Sequence, residues 1–249
     1  MKTLSFFVAF SLAAISISCA DSSGKNESTM NTDKGFAVVE LFTSEGCSSC
    51  PPADNAVVKL LKGHSNNVYV LGYHVDYWDN LGWRDIFSNA AYTQAQRTYA
   101  KAFKLSSVYT PQIIVNGTEQ FVGSDEKKLN AAVDRELQQA SIVKLSIEAK
   151  VGDDHEITVH YSTDALNANL HVALIQLSAE SKIQRGENIG ATLHHVNIVR
   201  DTKIVPTAAS GTLTLKIPDN LTAADCKVIA FTQNTDDNKI SGAMEAGIN

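Results

Sequence analysis

Phe36-Ala37-Val38-Val39-Glu40-Leu41-Phe42-Thr43-Ser44-Glu45-Gly46-Cys47-Ser48-Ser49-Cys50-Pro51-Pro52-Ala53-Asp54 orders the rest of the chain around itself. Residues 36–42 form a compact apolar run, interrupted only by Glu40, of the kind that makes a buried strand. Residues 44–49 read as a turn. Pro51 and Pro52 then open a helical pattern in which Val57, Leu60 and Leu61 share a face, and Gly63 closes it. Proline suits a first helical turn, where the N–H it lacks has no intrahelical partner. Two cysteines separated by two residues therefore stand between a strand and a helix start. The unpaired N–H groups and the macrodipole there favour a negative charge. They lower the pKa of Cys47 and make its thiolate available near neutral pH. The spacing puts Cys50 within bonding reach. Cys47 is thus the expected attacking sulfur and Cys50, one turn into the helix, the expected resolving sulfur.

Strand and helix signals continue to alternate up to residue 140. Residues 68–75 read as a strand and residues 89–105 as a helix, with Tyr92, Ala95, Tyr99 and Phe103 at helical spacing. Residues 113–115 and 120–122 are short strands joined at Asn116-Gly117, a pair that tolerates the positive φ of a tight hairpin. Asp125 begins a last helix that runs to about Gln139. The polar cluster His74-Val75-Asp76-Tyr77-Trp78-Asp79 stands where the second strand ends, at the sheet end that also carries Cys47. Alternation puts His74 and Asp76 on one side. A carboxylate or imidazole near the sulfurs would accept the proton that Cys50 releases. Trp78 and Trp83 would floor a groove for substrate, and the expected substrate-binding set is His74, Asp76, Trp78 and Asp79. The competing reading is a network that orders the loop: Asp76 and Asp79 cap the next helix, Arg84 pairs with Asp85, and the tryptophans pack.

Beyond Ala140 the period changes from helical to alternating. Val143, Leu145, Ile147 and Ala149 alternate with polar residues, as do Ile157, Val159 and Tyr161. Further strands are expected at residues 170–177, 195–199, 213–217 and 228–231, which suggests an antiparallel sandwich beginning near residue 141. The adjacent His194 and His195 point to opposite faces of a strand, poor geometry for joint metal ligation. Cys226 reads as a small buried apolar residue.

The first residues have another purpose. Lys2 followed by the uncharged apolar run 4–17 reads as a secretory signal, too short for a membrane span of about 20 residues. Ser16-Ile17-Ser18-Cys19 resembles the lipobox of bacterial lipoproteins, with Ser16 where that pattern prefers leucine. Cys19 is then the lipidated first residue of the mature chain; ordinary cleavage near Ala20 is the alternative. Residues 20–34, polar and rich in Ser, Asn, Thr and Lys, form a tether. Export sets the redox conditions, because disulfides persist outside the cytoplasm. With Cys19 lipidated, the four cysteines reduce to the 47/50 pair and Cys226; otherwise Cys19 is free to pair with Cys226. The whole chain has 249 residues, 44% hydrophobic and 19% charged, with a net charge of −6. That is a globular composition, and the absence of a basic cluster gives no reason to expect nucleic acid as a partner.

Val108-Tyr109-Thr110-Pro111, ahead of Gln112-Ile113-Ile114-Val115-Asn116-Gly117, resembles the segment in which thioredoxins carry a cis-proline against their Cys-x-x-Cys pair. The resemblance implies that Pro111 is cis and that Thr110 and Pro111 present backbone to an extended substrate. The longer stretches 40–54, 74–79, 81–83, 109–112 and Arg185-Gly186-Glu187-Asn188 resemble domain-of-unknown-function family 1223 over residues 36–245. The family resemblance implies an α/β plus β chain: a thioredoxin-like domain over residues 35–140 followed by an antiparallel β-sandwich-like domain over residues 141–249. Residues 185–188 then form a turn, or face the first domain across an interface.

The leading functional expectation is a cell-envelope thiol–disulfide oxidoreductase using Cys47 and Cys50. It acts without a cofactor on thiol or disulfide proteins or small molecules, and meets the membrane only through an N-terminal lipid. Two alternatives stand beside it. One is a copper- or zinc-binding protein or metallochaperone with Cys47, Cys50 and His74 as ligands. The other is a non-catalytic binding module in which the cysteines brace a loop.

Overall fold

The computed structural model describes residues 1, 28–29, 34–64, 66–141 and 143–249. The segments expected to be the secretory run, the lipobox-like stretch with Cys19 and most of the tether lie outside the described residues. The short strand β1 (Ser28–Thr29) is followed by β2 (Ala37–Thr43), α1 (Pro51–Gly63), β3 (Val68–His74), α2 (Ala90–Ala102), β4 (Gln112–Val115), β5 (Glu119–Val122) and α3 (Glu126–Leu137). Seven strands complete the chain: β6 (Leu145–Val151), β7 (Glu156–Thr163), β8 (Ala168–Lys182), β9 (Thr192–Pro206), β10 (Ser210–Lys216), β11 (Cys226–Asn234) and β12 (Ile240–Gly247).

The architecture is mixed α/β, dominated by an eight-stranded sheet ordered β12-β11-β8-β9-β3-β2-β4-β5. A second sheet, ordered β1-β6-β7-β10, accompanies it. β2 and β3 are parallel, while β4 is antiparallel to β2 and β5 to β4. The β4–β5 turn holds Asn116 at φ 45° and Gly117 at φ 72°. Asn89 and Asp125 cap α2 and α3 by accepting from Ala91 N and Lys128 N.

Strand alternation divides the core. Val39 and Leu41 point to a layer under α1 and α3 with Ala53, Val57, Leu60, Leu129 and Val133. Val38 and Phe42 point the other way, to α2, where they pack with Tyr73, Tyr92 and Tyr99. A third layer, with Leu145, Ile147, Val159, Leu170, Leu174 and Val228, joins the second sheet to β8 and β11.

The strands after residue 141 do not stand apart as a separate sandwich. β8, β9, β11 and β12 extend the sheet that holds β2 and β3, so the large sheet runs straight through the expected boundary. β9 meets β3 in parallel at Gly72 and Ile198. Beside that pair Asn197, at φ 51°, donates its side-chain amide to Val70 O at 3.1 Å. A Cβ on Gly72 would lie 3.4 Å from Asn197 O, at ordinary van der Waals contact with β9. The physical gain is clear: without β9, β3 would be an open edge with unpaired backbone groups.

Candidate functional site

Cys47 and Cys50 are joined in a disulfide, with their Cα atoms 5.4 Å apart. Local sequence puts them there. Cys47 N donates to Ser44 O (3.2 Å) and Cys50 N to Cys47 O (3.1 Å), which closes the turn after β2. Cys50 is the N-cap of α1, and Ala53 N donates to its carbonyl at 2.8 Å. Both cysteines are fully buried, while Ser48 and Ser49 between them are exposed.

Three segments distant in sequence enclose the pair. The Thr110–Pro111 peptide is cis. Ser49 Oγ donates to Thr110 O at 3.4 Å and lies 3.3 Å from Cys47 Sγ. Gly123 N donates to Pro111 O at 2.9 Å. The second segment is the loop of residues 77–88. Trp78 Nε1 donates to Thr110 Oγ1 (2.9 Å) and Trp83 Nε1 to Glu45 Oε2 (2.7 Å). The two tryptophans thus tie this loop to the loops on either side of the disulfide.

The third segment is the turn between β8 and β9. Glu187 Oε2 accepts from both Ser48 N (3.1 Å) and Ser48 Oγ (2.6 Å). Those two hydrogen bonds, side chain first, hold the exposed Glu187 carboxyl below its ordinary pKa. Asn188 Nδ2 donates to Glu45 O (2.8 Å) and Cys47 O (3.0 Å). Gly186, at φ 77°, packs on Trp83, whose Cβ would lie 3.1 Å from any added Cβ. Residues 185–188 thus form a turn, as one expectation had it, and also face the cysteine segment, as the other did.

Beneath the disulfide is a buried set of ionisable groups. Asp85 Oδ2 lies 2.6 Å from His74 Nδ1 and accepts from Glu45 N at 2.9 Å. Asp85 Oδ1 accepts from Phe87 N at 2.9 Å. Burial works to raise the Asp85 pKa, but His74 and these hydrogen bonds outweigh it and hold it below its ordinary value. His195 stacks edge-on against His74, centroids 4.8 Å apart. Its Nε2 lies 3.5 Å from Glu45 Oε1 and its Nδ1 3.7 Å from Asp54 Oδ2. Asp54, one helical turn beyond Cys50, is pushed up to about 7 by burial, against the opposing pull of His195 and Thr43.

Several sequence expectations change here. His74 and Asp76 do not work together: His74 is committed to Asp85, whereas Asp76 Oδ1 accepts from Thr93 Oγ1 (2.5 Å) on α2. Asp79 accepts from Asp85 N and Ser88 Oγ and so orders its own loop. The helix cap belongs to Asn89, and Asp85 turns inward to His74 rather than out to Arg84. His74 does not join the cysteines as a ligand, and no group of three or more His, Cys, Asp or Glu among the described residues is placed to hold a metal ion. His194 and His195 do point apart, but His195 is buried in the charged set while His194 is exposed. Cys226 is buried and free of disulfide among the described residues, and burial pushes its thiol up to about 11.

Sequence reasoning missed Asp54, Glu45, Asp85, His195, Glu187 and Asn188 as members of one site. Asp54 was accessible through the i, i+4 spacing from Cys50. Glu45 and Asp85 meet through a hydrogen bond between loops, and His195, Glu187 and Asn188 arrive with β9 and the turn before it, whose placement no local pattern announces.

The family model for a protein of unknown function, DUF1223, matches residues 38–233. The chain belongs to this family. The DUF1223 match spans every segment just described, from β2 through the β8–β9 turn to β11. No curated protein matches the chain. Among solved structures, a crystal structure of a protein from Agrobacterium tumefaciens is 30% identical with a TM-score of 0.58. That likeness covers 84% of this DUF1223 chain and 92% of the other. HBP35 of Porphyromonas gingivalis has a TM-score of 0.61 at 15% identity, covering 86% of this chain and 76% of its own, a likeness of fold.

Proposed function

We propose that the chain is a thioredoxin-like thiol–disulfide exchange protein of the cell envelope, working through Cys47 and Cys50. One observation carries the reading: a disulfide closes the turn that leads into a helix and ends on that helix's N-cap, opposite a cis X–Pro bond. The order β3-β2-β4-β5, with α1 and α3 on one face and α2 on the other, supports it. In the reduced pair, Cys47 thiolate attacks a substrate disulfide, forms a mixed disulfide and expels one substrate thiolate. Cys50 gives its proton to Asp54 and attacks Cys47 Sγ; the second substrate thiolate leaves. Two electrons pass to the substrate and the pair ends oxidised; the reverse sequence oxidises a substrate dithiol. Asp54, with a pKa of about 7, suits that proton transfer near neutrality. The Thr110–Pro111 backbone would hold the substrate segment. The N-terminal apolar run supports export, and Cys19 supports a lipid anchor.

The binding-module reading has one observation in its favour: both cysteines are fully buried. The reduction potential of the pair in glutathione buffers separates the two. A value between about −270 and −120 mV is expected for an exchange protein, and one below about −300 mV would identify a structural brace. The Cys47→Ser variant should lose thiol exchange; unchanged exchange would refute the role of Cys47.

A further inference from the structure

The α2 side of the sheet carries a built polar group that the cysteine site does not use. Glu40 sits mid-strand on β2, between Leu71 of β3 and Ile114 of β4, and is 4% exposed. A carboxyl group in such a place is costly unless it finds partners. Tyr99 of α2 donates its hydroxyl to Glu40 Oε2 at 2.6 Å. Gln233 of β11 in turn donates its amide to Tyr99 Oη (2.7 Å) and to Asn238 O (2.9 Å). One hydroxyl therefore serves one oxygen of the carboxyl, and Gln233 in turn holds that hydroxyl in place.

This carboxyl lines a cavity of about 190 Å³ between α2 and the β8, β9 and β11 strands. Tyr73, Tyr92, Ala95 and Ala173 form apolar walls. At the rim stand Ala91 and Ile204, the latter 56% exposed. No lysine or arginine lines the cavity among the described residues. A largely apolar space with a buried carboxyl and no lysine or arginine in its lining is electrostatically complementary to a small cation with an apolar body. A cavity of about 150 Å³ holds benzene, which sets the scale of the occupant.

We propose that this cavity binds a small primary amine, whose ammonium group pairs with Glu40 and whose apolar body, about one ring in size, fills the space under α2. The site is separate from the disulfide, so the proposal stands or falls independently of the exchange reading. The chemistry around Glu40 agrees with it. Burial raises Glu40 to about 7, against the pull of Tyr99, so an ammonium ion would supply the counter-charge the protein lacks. The other titratable groups facing the cavity are Tyr73 of β3, Tyr92 and Tyr99 of α2, and His171 of β8. Burial raises the three phenols and pushes His171 down to about 4, so all four are neutral at pH 7. Arg200 and Asp201 of β9 act on Tyr92 with opposite signs. Amine binding should therefore tighten between pH 6 and 8 as Glu40 ionises.

The test is calorimetric titration of the intact oxidised protein with butylamine, benzylamine and phenethylamine, with benzyl alcohol as the neutral control. At least one amine should bind saturably, at least tenfold tighter than benzyl alcohol, and Glu40→Gln should abolish that preference. Ala91→Phe, which closes the rim without entering the core, should weaken binding at least tenfold while the fold is retained. If Glu40→Gln does not fold, the Ala91→Phe result and amine-induced NMR shifts at Tyr99 decide. Absence of saturable binding by all three amines would overturn the proposal. So would equal affinity in wild type and Glu40→Gln, or, where that variant is unfolded, binding unchanged by Ala91→Phe.

Discussion

Glu187 lies 139 residues from Ser48 in sequence, yet its carboxylate accepts both the backbone N–H and the hydroxyl of Ser48, beside Cys47. An anion thus already occupies the helix end that would otherwise stabilise a Cys47 thiolate. Glu187→Gln should lower the pKa of Cys47 in the reduced protein and speed its alkylation at neutral pH by about two- to threefold. A pH–rate profile with iodoacetamide separates two causes. A shifted midpoint reports the lost charge, and a raised plateau reports easier access to a buried sulfur.

Asp54 and Glu40 share a pH signature. Their folded values are raised to about 7, from ordinary values of 3.8 and 4.5. Between pH 4 and 7 the folded chain therefore binds more protons than the unfolded chain at these sites, so their contribution to stability falls as pH rises. Asp54→Asn should flatten the decline, by no more than about 4 kcal/mol for a shift of that size. Urea unfolding at pH 4.5, 6 and 7.5 measures it; equal slopes in wild type and variant would show that Asp54 ionises freely.

Asp85 behaves in the opposite sense. Its pKa is depressed, so its contribution is present above its unfolded value and disappears as acid protonates it. His74→Ala removes the 2.6 Å partner of this buried carboxylate and should cost about 3–5 kcal/mol at pH 7. The penalty should shrink below pH 4. Denaturant midpoints at the two pH values are the measurement.

Trp78 Nε1 and Thr110 Oγ1 join the 77–88 loop to the cis-proline loop. Thr110→Val removes that acceptor at nearly constant volume and should destabilise by about 1 kcal/mol. If the loop positions substrate, thiol exchange should slow while the reduction potential of the pair stays unchanged. A change of potential with unchanged exchange would instead make the contact a brace of the disulfide.

The elements from β2 to α3 were legible because each follows from local chemistry. Pro51 and Pro52 mark a helix start, Asn116-Gly117 permits positive φ, and Asn89 and Asp125 carry caps. Cys47 and Cys50 were legible as a pair for the same reason, since spacing and context are local. The route of β9 was not. Its own sequence alternates acceptably for a sandwich strand, and nothing in residues 192–206 names β3 as a neighbour. The β12 strand, interrupted by Gly242 and Gly247, gave too weak an alternation to be read.

By itself the sequence determined the succession of strands and helices from β2 to α3, which cysteines lie within bonding reach, and which family motifs the chain carries. Those properties depend on neighbours a few residues apart. Only the tertiary structure decided that β9 docks beside β3, and with it that Glu187 and Asn188 reach the cysteine turn and His195 meets Glu45 and Asp54. The same assembly set Glu40 against Tyr99 and Gln233. Such contacts arise because a sheet edge must be covered and a buried charge must be paired, and many partners far along the chain satisfy either demand until the whole sheet is assembled.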